Sequence, residues 1–291
     1  MTPSSLHSHS APSYIQIDIL IIGRNRYVET PMDNLPLDLL RPIVENLADD
    51  SRSLLAVSLA SRELRMEGQR ILFRRVTPPT NKDHHTKFLT AVTSSSLLAL
   101  LVEEYHQFDL LDRRPEEPFL GLTCRGLQAM VNLKILRLRT SNHPQSFRGC
   151  TFQLEALEWN DYPDVEHILD FLRTQLQLRT LRLYWKRPDL DTSGICPRLQ
   201  LLHGDRSTMN AFLPGRHVTS IKWTPSNGEL LNDSVDHLSR EFNHIRFFSV
   251  GGWWGHHRLN ILIPHLGAVE VFELGGLRSL SVPVCFKKFP L

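Results

Sequence analysis

Histidine pairs are the first residues of this chain whose type and spacing raise the question of a metal site. His84 and His85 are adjacent, and so are His256 and His257. Neighbouring residues on a helix point about 100° apart, whereas the two histidines of an HExxH zinc site share one helix face. We therefore interpret both pairs as solvated helix starts and predict no metal site.

Nucleophilic chemistry has equally little support in the sequence. The four cysteines are far apart and form no CxxC pair, which favours a reduced intracellular compartment, cytoplasmic or nuclear, over a disulfide scaffold. No GxSxG, GxxxxGK[ST] or GxGxxG motif occurs, so neither a nucleophile elbow nor a phosphate-binding loop is indicated. We predict a protein that is not an enzyme and holds no cofactor.

The charge balance narrows the range of partners. Lys and Arg total 33 against 31 for Asp and Glu, a formal net charge of +2, and nucleic-acid binding needs a clustered basic surface instead. No run of about 18 apolar residues occurs, so no membrane-spanning helix is expected. The chain of 291 residues is long enough for one elongated domain or two smaller ones.

Three short amphipathic helical patterns occupy residues 32–76. Apolar residues in the first pattern recur at helical spacing, and Pro42 within it predicts either a bend or a late helix start. Asp49, Asp50 or Ser51 can cap the second helix, and Ser61 can cap the third. A unit this short is marginal alone. It therefore serves either as a cap on the following domain or as a docking unit covered by a partner.

The order and spacing of this segment resemble an F-box, most closely those of mushroom-forming fungi. The matching features are Leu35-Pro36, Asp38, the pairs Leu39/Leu40 and Ile43/Val44, Leu47, SLLAVSLASRELR (53–65) and ILFRRV (71–76). The segment departs from the family at Asp38, where glutamate is common, and at Pro42 inside the first helix. The resemblance implies that residues 32–76, in an F-box-like helical domain 32–79, dock onto the Skp-type adaptor of an SCF (cullin–RING) ubiquitin ligase.

The residues expected to face that adaptor are apolar and belong to the first two helical patterns. They are Leu35, Pro36, Leu39, Ile43, Leu47, Leu54 and Val57. A second apolar set belongs either to the same surface or to the internal core of the unit, and the sequence does not divide the two sets. Its members are Leu40, Val44, Leu59, Leu64 and Ile71.

A seven-residue block recurs through the rest of the chain. It begins at residues 133, 154, 178, 199, 218, 245 and 269, so successive blocks start 19 to 27 residues apart. The pattern LxxLxL and this interval are typical of leucine-rich repeats, which run about 20–29 residues. Helical returns are predicted at 165–176, 207–213, 233–242 and 256–266, and an earlier irregular repeat at 97–111.

Alternation within each block predicts a strand with one buried face and one polar face. The inward pairs are Leu136/Leu138, Leu157/Trp159, Leu181/Leu183, Ile221/Trp223, Phe248/Val250 and Phe272/Leu274. The polar face is predicted to be concave and to bind a target protein, because solenoids bind through that surface. Its expected binding residues are Arg137, Arg139, Glu158, Asn160, Arg182, Tyr184, His203 and Lys222, and Asp205 is assigned to the same face.

The predicted fold is α/β: a three-helix F-box followed by an irregular leucine-rich-repeat solenoid over 80–291, possibly truncated, with 1–31 as a poorly ordered tail. The alternative fold is an ordinary α/β domain whose parallel sheet is buried on both faces. The expected function is a substrate-recognition adaptor of an SCF-type ligase, with an unknown target and neither nucleic acid nor membrane as partner. The alternatives are a repeat protein acting outside any ligase and an enzyme with a site built across repeats. Trp253 and Trp254 are either binding anchors or, as we favour, part of the core.

Overall fold

The computed structural model describes residues 36–76, 82–107, 117–138, 147–159, 165–185, 187, 190–225, 235–251, 262–274 and 282–285. No helix within these ranges has the length and apolar character needed to cross a bilayer. Several sequence-based predictions lie outside the described residues. They concern the tail 1–31, Leu35, Arg139, Asn160, Trp253, Trp254, His256 and His257.

Helices and strands alternate along most of the described chain. The helices are α1 (Leu37–Glu45), α2 (Ser51–Ala60), α3 (Arg62–Arg74), α4 (Lys82–Ser94), α5 (Ser96–Leu101), α6 (Glu117–Ala129), α7 (Val165–Thr174), α8 (Arg206–Phe212) and α9 (Ser239–Phe242). The strands are β1 (Arg75–Val76), β2 (Glu104–Gln107), β3 (Ile135–Leu138), β4 (Ala156–Trp159), β5 (Thr180–Arg182), β6 (Leu201–Gly204), β7 (Ser220–Trp223), β8 (Phe247–Val250), β9 (Val271–Leu274) and β10 (Val282–Cys285). Short 3₁₀ turns cover Asp236–Leu238 and Ile263–His265.

The ten strands form one sheet in which each strand pairs with its neighbour in the chain. Strands β1 to β9 are parallel, and β10 runs antiparallel to β9. Parallel neighbours require a crossover, which here contains a helix or a 3₁₀ turn in most cases. The predicted α/β class is confirmed, and the sequential strand order is compatible with a solenoid-like fold.

One face of this sheet is buried and the other is accessible. A register-aligned row of apolar residues on the buried face is 0 to 6% exposed. The row consists of Val76, Tyr105, Leu136, Leu157, Leu181, Leu202, Ile221, Phe248 and Phe272. Side chains between these positions are half-buried or exposed at most strands. This alternation favours the one-sided sheet over a domain whose sheet is buried on both faces.

A second buried row follows the first, and it is interrupted at Gly204. Leu138, Trp159, Trp223 and Val250 occupy this level in other strands and are at most 3% exposed, whereas Leu274 is half-buried. At Gly204 an added Cβ would lie 2.3 Å from the Leu183 carbonyl oxygen. Glycine is therefore required there by close packing against the preceding strand.

The residue after Gly204 corrects a prediction. Asp205, assigned to the polar face by sequence, is 4% exposed. Its carboxylate accepts a hydrogen bond from the Thr208 backbone N–H at 2.9 Å and so caps α8. The Thr208 hydroxyl lies 2.9 Å from the Leu183 carbonyl oxygen, to which it can donate. Asp205 therefore stabilises a helix start and is not available for binding.

Helices α1–α3 enclose a small core of their own, formed by Leu40, Val44, Leu54 and Leu64. Of the three candidate caps for α2, Asp50 is the one that caps the helix, and Ser61 caps α3 as predicted. Helix α1 begins at Leu37 and continues through Pro42 to Glu45, so the late helix start allowed by the sequence is wrong.

The third helix joins this unit to the sheet. Strand β1 follows α3 directly, and Val76 aligns with Tyr105 of β2. Phe73 and Val76 belong to the main core, while Leu72 packs against both cores. The predicted helical domain 32–79 thus contains the first strand of the sheet, and packing is continuous between the two parts.

Glu67 links α1 and α3 through ion pairs. Its carboxylate, 8% exposed, lies 2.7 Å from Arg70 Nε and 3.3 Å from Arg41 Nη2. Burial alone would raise the pKa of Glu67, but the hydrogen bonds from Arg70 and Arg41 outweigh it and hold the pKa below its usual value. Arg70 also reaches Glu45 at 2.8 Å.

We expect Glu67→Gln to lower the free energy of unfolding by about 1–3 kcal/mol at neutral pH, because it weakens charge-assisted hydrogen bonds at a buried position. The loss should shrink as the pH falls through the lowered pKa of Glu67, since protonation then neutralises the wild-type carboxylate as well. Urea unfolding at several pH values measures both effects. Asp49→Asn, at an exposed acid of the same unit, is the matched control. Equal losses of unfolding free energy in the two variants would contradict the stabilising role of the Glu67 ion pairs.

Candidate interaction surfaces

A single row of polar side chains crosses the accessible face of the sheet. Backbone register places its members at the same level of successive strands, which are about 4.8 Å apart. This polar row consists of His106, Arg137, Glu158, Arg182, His203, Lys222, Ser249 and Glu273, of which His106 is buried and the others are half-buried or exposed. Each repeat block from 133 onward contributes its fifth residue, so the sequence pattern itself generates the row.

Opposite charges alternate in the first part of the polar row. Glu158 lies 3.2 Å from Arg137 Nε and 3.9 Å from Arg182 Nη1. Glu104, just outside the row, lies 3.8 Å from Arg137 Nη1 and 2.7 Å from His106 Nε2. The pairs of Glu158 with the two arginines are partly exposed, so each contributes at most about 1 kcal/mol to stability. Their main effect is to neutralise this part of the surface.

Positive charge is less compensated in the middle of the row. Lys222 is exposed and, among the residues that the structure describes, no ion pair or hydrogen bond of its side chain is found. His203 lies between Arg182 and Lys222, with Nε2 3.0 Å from the Thr224 hydroxyl. Burial and then the two neighbouring cations lower the pKa of His203 to about 4. The imidazole is therefore neutral at physiological pH, flanked by two positive charges.

Several of the target-binding residues that the sequence predicts therefore lie together on the polar row. Arg137, Glu158, Arg182, His203 and Lys222 share the polar row, and Tyr184 is half-buried just beyond the end of β5. Sequence reasoning did not assign His106, Ser249 or Glu273 to this surface. The last two follow from the fifth position of their blocks, whereas EYHQ at 104–107 lacks the repeat pattern.

Beside the polar row, on the same accessible face, lies another row of side chains, many of them apolar, which we call the second row. Its members are half-buried and aligned in register. This second row consists of Ile135, Ala156, Thr180, Leu201, Ser220, Phe247 and Val271. An extended ligand lying across the strands would therefore meet polar groups on one side and apolar groups on the other.

A separate apolar surface is found on α1. Leu39 is 53% and Ile43 48% exposed, one helical turn apart, and Pro36 is also exposed. Leu47 and Val57 are half-buried and pack against the small core. Of the predicted adaptor-facing residues that the structure describes, Pro36, Leu39 and Ile43 are thus the most accessible.

Leu54 requires a correction, because it is 1% exposed and belongs to the small core. The reason is the close approach of α2 and α3 at Gly68. An added Cβ at Gly68 would lie 2.0 Å from Ser58 Oγ, so the α2 face that carries Leu54 and Ser58 is turned toward α3. Leu54 is therefore not available to a partner.

The structure also divides the apolar set that the sequence left undivided. Leu40, Val44 and Leu64 are buried, and Ile71 packs against them. Leu59 is 47% exposed, on the opposite side of α2 from the small core. Met66 on α3, which sequence reasoning did not select, is 62% exposed.

The His, Cys, Asp and Glu side chains of the described ranges were candidates for a metal site or for nucleophilic chemistry. These ranges contain no cluster of three or more His, Cys, Asp or Glu residues able to hold a metal ion. Burial raises the pKa of Cys150 and Cys196 to about 12, so neither is a thiolate at neutral pH. The interpretation of His84-His85 as a solvated helix start is wrong for His85, which is 1% exposed and contacts the Tyr105 hydroxyl.

Burial lowers the pKa of His85 to about 4. In the unfolded chain His85 becomes protonated near pH 6.5, whereas in the folded chain it stays neutral until about pH 4. The free energy of unfolding therefore falls as the pH drops from 6.5 toward 4. Between pH 7 and pH 5, we expect the free energy of unfolding of the wild type to fall by about 1–2 kcal/mol more than that of His85→Gln. Urea unfolding at both pH values measures the shift. His84→Gln, which retains His85, should keep the wild-type pH dependence; a pH-independent His85 difference would contradict the prediction.

Neither a protein-family model nor a curated protein matches the chain. The class of the protein is therefore defined by its fold: an α/β protein in which a small helical unit leads into a one-sided, mainly parallel sheet. Its two candidate interaction surfaces are the apolar surface on α1 and the polar row with its neighbouring second row.

Proposed function

We propose that this protein is a substrate-recognition adaptor of an SCF-type ubiquitin ligase, in which α1–α3 form an F-box that binds the Skp-type adaptor. The observation that carries this proposal is the exposure of Leu39 and Ile43 on a unit whose own core contains four buried apolar residues among those that the structure describes. Exposed apolar side chains one turn apart are typical of a helix that docks against a partner. Their position matches the F-box resemblance.

The sheet would then form an irregular leucine-rich-repeat solenoid that holds the target. Sequential parallel strands, a repeat interval of 19 to 27 residues and one polar face support this assignment. Holding the target close to the ubiquitin-transferring subunits raises its effective concentration, and this chain needs no catalytic group to do so.

Co-purification with a Skp-type adaptor tests the proposal. We expect the wild-type protein to capture the adaptor and the double variant Leu39→Glu/Ile43→Glu to lose that binding, because each interface anchor typically contributes about 2 kcal/mol or more. Both side chains are exposed, so the variant should fold. The matched control is Val131→Glu/Leu176→Glu, which changes two exposed apolar residues of the repeat region. A folded wild type that fails to capture the adaptor, or a double variant that still does, would refute the F-box role.

A protein-interaction module acting outside any ligase is the second candidate. The polar row favours it, because that surface lies on the sheet and does not depend on the α1 surface. Loss of target binding on changing the row, together with no adaptor binding, would select this candidate.

A further inference from the structure

The charges of the polar row are unevenly matched along the sheet. From Arg137 to Arg182 each arginine has a carboxylate within 4 Å, provided by Glu104 or Glu158. From Arg182 to Lys222 the row contains no carboxylate, and its central residue is the neutral His203. This segment of three residues therefore carries net positive charge on an accessible surface.

The spacing of this segment suits an extended chain. Arg182 and Lys222 lie two strands apart, which corresponds to about 10 Å between their backbones. A peptide in the polyproline II conformation has three residues per turn and advances about 3.1 Å per residue, so two side chains three residues apart lie on one side of it and span about the same distance. Leu201 and Phe247 of the second row lie on the same face nearby and provide half-buried apolar contacts.

We propose that Arg182, His203 and Lys222 bind an acidic segment of a protein partner, with two Asp or Glu side chains about three residues apart, in a polyproline II conformation across β5–β7. An adjacent apolar side chain of that segment packs on Leu201 or Phe247. The inference rests on the proposed role of the sheet in target binding, and it specifies the chemistry of the target.

Charge complementarity favours carboxylate over the two other common anionic groups. Glu158 lies 3.9 Å from Arg182 Nη1, so the formal charges of Arg182, Lys222 and Glu158 sum to +1. Two carboxylates match that charge more closely than two phosphate dianions, whose excess negative charge Glu158 would repel more strongly. Nucleic acid needs a continuous basic track, whereas Glu158 and Glu273 interrupt this row. The neutral His203 adds a hydrogen-bonding group without further positive charge.

Selection of displayed random peptides on the full-length protein tests the proposal. We expect enrichment of peptides with two acidic residues about three positions apart and an apolar residue near them. The best selected peptide should then bind about tenfold more weakly to Arg182→Gln and to Lys222→Gln, because each change removes a charge-assisted contact. Fluorescence anisotropy measures the affinities, and circular dichroism verifies folding.

Two comparisons make the test specific. Arg125→Gln/Arg179→Gln removes two exposed cations elsewhere and should leave the affinity of the peptide unchanged. Replacing the acidic residues of the peptide by phosphoserine should weaken binding. Enrichment of peptides without acidic pairs, no enrichment at all, or equal binding to the row variants and wild type would overturn the proposal. Tighter binding of the phosphorylated peptide, or its displacement by single-stranded oligonucleotide, would also overturn it.

The peptide measurement is independent of the adaptor measurement. Leu39→Glu/Ile43→Glu lies in the helical unit and should bind the selected peptide as wild type does. Failure of adaptor binding with intact peptide binding refutes the F-box role alone, and the reverse result refutes the acidic-segment assignment alone.

Discussion

Gly204→Ala should lower the free energy of unfolding by about 3 kcal/mol or more, although it adds a single methyl group. The new Cβ would lie 2.3 Å from the Leu183 carbonyl oxygen and 2.7 Å from Thr208 Cβ. One of these neighbours is backbone, so relief requires separation of β5 and β6. That movement would also strain the contact between the Thr208 hydroxyl and Leu183.

Gly267→Ala is the matched control for this prediction. No atom lies within 4 Å of a Cβ added there, so stability should be unchanged or slightly higher. Thermal and urea unfolding of both variants measure the difference. Because β5 and β6 carry Arg182 and His203, Gly204→Ala should weaken peptide binding as well. A Gly204 variant as stable as the Gly267 variant would show that the strands do not approach as closely as described.

Arg216→Met should also destabilise the protein by about 3 kcal/mol or more, because it removes a buried guanidinium that holds several backbone carbonyls. Arg216 is 8% exposed. It donates to the carbonyl oxygens of Ile195 at 2.8 Å and Pro214 at 3.1 Å, and also to that of Thr192. Methionine fills a similar volume but leaves these carbonyls without their donors.

Two further variants define what Arg216 contributes. Arg216→Lys should recover only part of the stability, since one ammonium cannot reach carbonyls placed around a planar guanidinium. Arg246→Met, at a cation whose side chain is 71% exposed, should change stability by less than about 0.5 kcal/mol. Full stability of Arg216→Met in urea unfolding would contradict the prediction.

The buried face of the sheet was predictable because it depends on the alternation of residues within each short block of sequence. Strands alternate with period two, so Leu136, Leu157, Leu181, Ile221 and Phe248 could be assigned to one buried face from their block positions. The caps Asp50 and Ser61 were predictable for the same reason, because a cap bonds only to the next turn of its own helix.

The errors concern residues whose role is decided by contacts distant in sequence. Leu54 and Leu59 are both apolar residues of α2 on different sides of the helix, and the approach of Gly68 to Ser58 turns the side with Leu54 toward α3. Asp205 has the spacing of a polar-face residue, yet it becomes a cap because α8 starts there. His85 is buried by packing against Tyr105 and Phe119. None of these contacts is visible in a single sequence.

The strand order has a consequence for how the molecule opens. Each strand from β2 to β9 bonds only to its chain neighbours, so the sheet is a linear array without long-range closure. In such an array the free energy of opening grows with distance from an end, because terminal units have one neighbour and central units have two. Amide hydrogen exchange should therefore be slowest in β4–β7 and become faster toward β1 and β10. Arg182, His203 and Lys222 lie on the part of the array that we expect to exchange most slowly.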